Sequence, residues 1–377
     1  VEIGFTPEQE ELRAVLRAFL DEHADRRSLI ATEDRHAPEL WRRMATEIGV
    51  QGLAVPEEYG GAGFGAAEMC VAFEELGRSL AGGPMLATAG LVVPALLACE
   101  GEDARAEFLP GIADGSTVAT LAFVEAEGTW ETGAVHTRAK RTGDGHIIDG
   151  TKYFVLDGAI ADLVLVTART DDGTALFAVS GDAAGLSRRA HEAVDLTRGM
   201  ARLDFASVPA RLLSSDPSVV ETALDRARIA LAAEQAGGAQ WCLDTAVAYA
   251  KTRHQFGRPI GSFQAVKHRC ADMMVAVEAA RSATYLAALT AHGAPQDLAV
   301  AATSAQVCCS RAYTEVAAGA IQVHGGIGFT WEHDAHLFYK RAKTDELLFG
   351  TADWHRERLA RLTGMGTAET TEGAVNV

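Results

Sequence analysis

Residues 117–213 break with everything on either side of them. β-branched and aromatic runs are cut there by Asp-Gly pairs: Ile147-Ile148 stands before Asp149-Gly150, and Tyr153-Phe154-Val155-Leu156 before Asp157-Gly158. A third run, Leu163-Val164-Leu165-Val166, follows. Asp-Gly supplies the positive φ that a tight hairpin needs, so the block predicts a central antiparallel β domain of short strands. No helical stretch separates the runs, which argues against the strand-helix-strand alternation of a dinucleotide-binding sheet.

The flanks read as helix. Thr6-Pro7-Glu8-Gln9 has an N-cap residue, a proline at the first helical position and a glutamine placed to close a capping box. Leu12, Val15, Leu16, Phe19 and Leu20 then recur at helical spacing. Further helices are predicted over 38–48, 66–80, 84–98 and 103–112, separated by breaks such as Gly60-Gly61-Ala62-Gly63 and Gly82-Gly83-Pro84. After the β block come four long alanine-rich segments, 217–253, 263–292, 295–321 and 333–362, apolar around much of their circumference. Helices of that kind sit centrally in a bundle or at a subunit interface. The expected fold is therefore α+β and multidomain: an N-terminal helical domain (1–116), the β domain (117–216), a C-terminal four-helix bundle (217–364) and a flexible tail (365–377).

Composition removes several functions. The chain is 48% apolar, and 51 acidic against 34 basic residues give a net charge of −17, which disfavours a surface for nucleic acid phosphates. Six scattered cysteines form no CxxC pair and have no nearby histidine spacing, so neither a metal site nor a disulfide framework is expected, and a reduced cytoplasmic location is. Val1-Glu2-Ile3-Gly4-Phe5 has no basic region leading into an apolar run, and no 18 apolar residues stand together; secretion and membrane spanning are not expected.

Two stretches carry candidate chemistry. In Tyr249-Ala250-Lys251-Thr252-Arg253-His254-Gln255-Phe256-Gly257-Arg258-Pro259-Ile260, an arginine and a glutamine follow a helix end, with a glycine that lets backbone come close. That combination suits a pyrophosphate and its sugar, with Phe256 stacking on a ring; it equally suits a helix corner with a solvated basic patch. In Gln322-Val323-His324-Gly325-Gly326-Ile327-Gly328-Phe329, the Gly-Gly-x-Gly run follows a helix rather than a strand, so it is not a Rossmann fingerprint. Its glycines also suit a tight helical turn, and His324 a hydrogen-bonded structural role.

Together with Val55-Pro56-Glu57-Glu58-Tyr59-Gly60-Gly61 and the α, β, α order, these stretches make the chain resemble the acyl-CoA dehydrogenase family over nearly its whole length. The resemblance implies FAD-dependent α,β-desaturation of an acyl thioester such as an acyl-CoA. A carboxylate takes the α-proton and the flavin N5 takes the β-hydrogen as hydride, helped by hydrogen bonds to the thioester oxygen. It also implies an FAD site shared between subunits, with Arg253, Gln255, Phe256, Phe263 and Gln264 reaching a neighbour's flavin. Gln322, Gly325 and Gly326 match the other half of that grip.

The chain departs from the family pattern where the chemistry would be done. The family's catalytic glutamate commonly precedes a Gly-Thr pair, and here Phe349 precedes Gly350-Thr351. Other branches take the base from the position before an arginine that looks like Arg228, and here that position is Ala227. Glu234, two turns further on, is the nearest bundle acid, although it reads more simply as a polar contact within the bundle. The usual hydroxyl donors to the flavin ring are replaced around Val124-Glu125-Ala126-Glu127-Gly128-Thr129-Trp130, and again at Phe154-Val155-Leu156.

An intact grip on a neighbour's cofactor beside an eroded home site resembles the two-chain acyl-CoA dehydrogenases of actinobacterial steroid side-chain breakdown. The expected role is the base-lacking chain that completes the FAD site of a homologous partner, in a dimer or tetramer. The alternatives are a self-sufficient flavoenzyme with a relocated base or a carrier-protein substrate, and a non-catalytic structural paralogue.

Overall fold

The computed structural model describes residues 4–32, 35–133, 135–143, 145–291 and 293–365. The tail expected beyond Gly364 lies, apart from Met365, outside them.

The N-terminal third is helical. α1 (Pro7–His23) opens on the expected capping box: Gln9 N donates to Thr6 Oγ1 at 3.3 Å, and Thr6 N to Gln9 Oε1 at 3.0 Å. α2 (Arg26–Ala31) is capped by Asp25, and α3 (Pro38–Arg43) widens into a π turn over Met44–Ile48. α4 (Ala66–Ser79) follows the Gly60-Gly61 break. The stretch predicted as one helix over 84–98 divides into a π segment, Leu86–Val92, and α5 (Val93–Ala98). Pro94 explains the division, since it has no N–H to continue an α ladder and the widened turn lies just upstream. α6 (Glu102–Ala113) completes the layer.

The β domain contains β1 (Ala119–Ala122), β2 (Arg138–Thr142), β3 (Gly145–Leu156), β4 (Leu163–Thr170), β5 (Gly173–Ser180), β6 (Leu186–Ala190) and β7 (Met200–Ser214). Pairing runs β4–β5–β7–β3–β2 and back to β4, closing a barrel. The ladders are mostly antiparallel, with β1 parallel to β4 over four residues. Two expectations are corrected. The strands are not all short, because β7 has 15 residues and serves β3 along one edge, then β6 and β5 along the other. Asp149-Gly150 is not a hairpin turn but a bulge inside β3, where a Cβ on Gly150 would come within 2.9 Å of Thr137. Asp157-Gly158 does turn the chain, into a crossover toward β4 rather than a hairpin.

The last part is the bundle: α7 (Ser218–Thr252), α8 (Gln264–Thr290), α9 (Pro295–His324) and α10 (Ala335–Asp345), followed by α11 (Ala352–Leu362). The segment expected as one helix over 333–362 is broken at Phe349-Gly350, both with positive φ. α7 belongs to two cores. Its first half, from Val219 to Ala236, packs with the N-terminal helices and the β domain, and its second half, from Ala239 to Ala250, packs with α8, α9 and α10. α4 meets α7 at backbone distance through Gly77 and Gly237, where a Cβ would lie 2.0 Å from the Glu234 carbonyl oxygen and 1.8 Å from that of Glu74. Among the described residues no helix is long and apolar enough to cross a membrane.

Candidate functional site

The two motif stretches emerge at the same end of the bundle. α7 closes with Arg253 N donating to the Tyr249 carbonyl at 2.8 Å, and the Tyr249 ring lies 4.6 Å from that of His324, the last residue of α9. Beyond α7, His254-Gln255 pairs antiparallel with Arg258-Pro259 around Phe256 (φ +52°) and Gly257 (φ +77°). Two successive left-handed residues make a two-residue hairpin of the primed type, and a bulky Phe256 in that region is uncommon. Its ring is 90% exposed, edge-on to Phe263 at 6.0 Å, while the Arg258 guanidinium lies 4.1 Å from the Phe263 ring. The Arg253 and Gln255 side chains have no hydrogen-bond or ion-pair partner among the described residues. Gln264 begins α8 and contacts His268 at 2.9 Å.

At the end of α9, Gly325 takes φ +65°, ψ −140°, a conformation open essentially to glycine alone. Gly326 is uncovered, with nothing within 4 Å of where a Cβ would be, and Gln322 faces solvent one turn earlier. His324 is buried, its Nδ1 2.7 Å from the Ala320 carbonyl, and burial lowers its pKa. The ring is therefore neutral and donates from Nδ1. Arg253, Gln255, Phe256, Phe263, Gln264, Gln322, Gly325 and Gly326 thus lie on one end of the molecule, seven of the eight exposed and Phe263 half-buried.

The interior is the opposite. Phe349 is 1% exposed and its ring packs against Phe123 (6.4 Å) and Trp130 (6.1 Å), forming a plug of three aromatics. Its carbonyl accepts from Arg228 Nε at 3.3 Å. Arg228 is wholly buried, paired with Asp225 at 2.7 Å and lying 5.1 Å from the Trp354 ring. Ala227 is also fully buried. Neither position offers a proton acceptor.

Glu234 is held between two guanidiniums. Arg198 Nη2 lies 2.6 Å from its Oε1 and Arg341 Nη1 bonds the same oxygen. Arg341 also reaches Asp195 (2.7 Å) and Thr197, and Arg198 reaches Asp345 (3.2 Å). Burial works against ionisation here, but the two arginines overcome it and hold Asp195 and Glu234 below the usual carboxylate range. Burial wins at Asp157, pushed up to about 7, and at Asp345, which is also raised. Four buried acids and two arginines thus approach neutrality, with two acids ionised and two resisting ionisation. The members come from the turn after β3, the 195–198 loop, α7 and α10, so the only signal of the cluster in the sequence is polar residues inside apolar runs.

On the β side, Glu125 accepts from His136 N (2.8 Å), Thr137 N (2.9 Å) and Lys152 Nζ (2.8 Å). These bonds outweigh burial and bring its pKa down to about 2, while burial brings that of Lys152 down to about 8. Val124 and Leu156 are buried. Phe154 sits on a bulge with φ +52° and stacks on His191 at 5.3 Å. Val124, Val155 and Leu156 are packed apolar, and Glu125 and Lys152 satisfy each other between them.

Comparison with known proteins matches this division of parts. The descriptions acyl-CoA dehydrogenase N-terminal, middle and C-terminal domain match residues 6–116, 120–208 and 218–363. The acyl-CoA dehydrogenase IpdE2 of Mycobacterium tuberculosis is 36% identical over 361 residues, covering 94% of this chain and 96% of its own. A solved chain of the Tcur3481-Tcur3483 steroid ACAD superposes with a TM-score of 0.86 at 35% identity, covering 95% of this chain and 98% of that one. A chain of the ChsE4-ChsE5 complex from Mycobacterium tuberculosis superposes with a TM-score of 0.89 at 28% identity, covering 98% and 100%. The three family descriptions and the full-length relatives cover the helical layer, the β barrel and the bundle, and this chain belongs to the acyl-CoA dehydrogenase family.

Proposed function

We propose that this chain is the base-lacking member of a two-chain, FAD-dependent acyl-CoA dehydrogenase, completing the flavin site of a homologous partner. The observation that carries the reading is the contrast between Phe349 and Ala227, buried and without a proton acceptor at the positions the resemblance assigns to the family's bases, and the exposed, unpaired Arg253 and Gln255. Family members bind FAD. The outward face fits the phosphate-bearing part of that cofactor: free donors on Arg253 and Gln255, a bare Phe256 ring, and open backbone at Gly326. Phe263 and Gln264 on one side, and Gln322 and Gly325 on the other, shape the same edge. The inward face does not fit a self-contained ring site, because Val124 and Leu156 offer no hydroxyl and the Phe349 plug fills the position of the base.

A flavin bound at this edge would supply the acceptor for the β-hydrogen, and on this reading the carboxylate that removes the α-proton belongs to the partner. This chain's residues then bind and orient. Arg253 would neutralise phosphate charge, Phe256 would stack, and the left-handed turn at Gly325 would let backbone approach. The stripe of Met274, Val275, Leu286 and Leu289 along α8, each more than half exposed, supplies apolar surface for assembly with a homologous chain.

The test is spectroscopic. The chain purified alone should be colourless, and co-purified with its homologous partner it should be yellow. Arg253→Ala should lower flavin occupancy of the assembly while leaving the melting temperature of the chain unchanged. Full flavin retention with unchanged affinity in Arg253→Ala overturns the reading.

A further inference from the structure

Away from both the hairpin and the plug, the helices enclose an apolar cavity of about 270 Å³ between α4, the π segment with α5, and α7. Phe64, 51% exposed, and Ala291 are among its lining residues. None of Phe123, Trp130, Phe349 or Ala227 lines it. α7 turns a different face to this space: Thr222, Arg226, Ile229 and Ala230 recur at helical spacing on the side away from Ala227 and Leu231. The cavity is thus separate from the position where an acyl thioester would meet a base.

A single charged side chain lines it, and that side chain is unmatched. Arg226 donates to the Ala291 carbonyl at 3.2 Å and has no carboxylate in ion-pair range among the described residues. Burial lowers its pKa, with no neighbouring charge raising it. The most deeply buried arginines are matched, Arg228 with Asp225 and Arg341 with Asp195, whereas Arg226, like Arg188, has only a backbone carbonyl. Arg226 is half-buried and its bond to Ala291 uses one of its five N–H donors, so the rest are available to an anion at the rim of this apolar space. Thr222, one turn earlier on the same face, has a hydroxyl with no partner among the described residues.

We infer that this cavity binds a small hydrophobic carboxylic acid, its hydrocarbon body among Met69, Val93, Leu97 and Ile229 and its carboxylate on Arg226 and Thr222. A dry cavity of about 150 Å³ holds benzene, so on the same scale this one holds about ten carbons. The planar guanidinium suits a carboxylate, which it meets with two parallel hydrogen bonds. A free acid fits where a thioester does not, because the charge that Arg226 lacks is the charge a thioester has given up.

The probes are sodium decanoate and 1-decanol, titrated calorimetrically into the full chain at decanoate concentrations below micelle formation. Decanoate should bind once per chain. Arg226→Gln should weaken it by about tenfold or more, the scale of a lost charged hydrogen bond, and leave decanol unchanged. Ala66→Leu, which fills the cavity, should weaken both. Should melting show that variant misfolded, Thr222→Val serves in its place and should weaken decanoate alone. Absence of decanoate binding, equal affinity of wild type and Arg226→Gln for decanoate, or unchanged binding in a folded Ala66→Leu overturns the inference. Flavin content is not read in any arm, so this result and that of the accessory-chain reading fail independently.

Discussion

The open end of the bundle and the interior around Phe349 treat polar groups in opposite ways. At the open end, Arg253 and Gln255 are solvated and unpaired, and Phe256 shows nine-tenths of its surface. Inside, Arg198, Arg228 and Arg341 each meet at least one carboxylate, and Glu125 meets Lys152. Solvated donors cost nothing to keep free and remain available to another molecule, whereas buried charges must be matched within the chain. A residue that is already matched is a poor catalyst, because the proton it would accept competes with the partner that holds it.

The strongest attempt to break this contrast is kinetic. Anaerobic mixing of the chain, supplied with excess FAD, with a panel of acyl-CoAs should give bleaching slower by at least about 10² to 10⁴ than an enzyme with a base in place, since that is the usual general-base contribution. Rapid bleaching abolished by Glu234→Gln would instead put the base inside the arginine cluster.

Next in size is stability. Arg341→Met leaves Asp195 and Glu234 short of a countercharge and should cost about 3–5 kcal/mol in urea unfolding. Arg253→Met, at the open end, should be neutral. Equal costs at the two sites would erase the distinction between them.

The smallest effect is in pH. The folded-state pKa of Asp157 is raised to about 7 by burial, above its unfolded value of about 3.9. The folded chain therefore holds this proton where the unfolded chain has lost it, so the stability it contributes is complete below about pH 4 and is lost as pH rises through about 7. Asp157→Asn should flatten urea unfolding curves between pH 5 and 7.5 by at most about 1.4 kcal/mol per pH unit. An unchanged slope would mean that Asp157 is already ionised at pH 5.

What was readable in the sequence was local or periodic. The capping box at Thr6 and Gln9 depends on four consecutive residues, and it forms as written. The α, β, α order follows from runs of ten residues or more, each carrying one period. The two outward motifs were legible because each is contiguous, and a helix end needs only its own neighbours. Asp149-Gly150 misled because the same pair serves a turn or a bulge, and the approach of Thr137 decides which. The break at Phe349 is signalled locally only by Gly350-Thr351, a positive-φ glycine and the N-cap of α11, whereas Phe349 itself packs on Phe123, Trp130 and Arg228 from far along the chain. The partners of Glu234 were hidden for the same reason: Arg341 is 107 residues away in sequence.

α7 is also a ruler. From Ala227 to Arg253 it runs 26 residues without interruption, which at 1.5 Å per residue sets the two about 39 Å apart. One dinucleotide cannot span that interval along a rigid rod. A group held at Arg253 and one lying beside Ala227 would therefore be different molecules, and the two ends of α7 would serve separate sites.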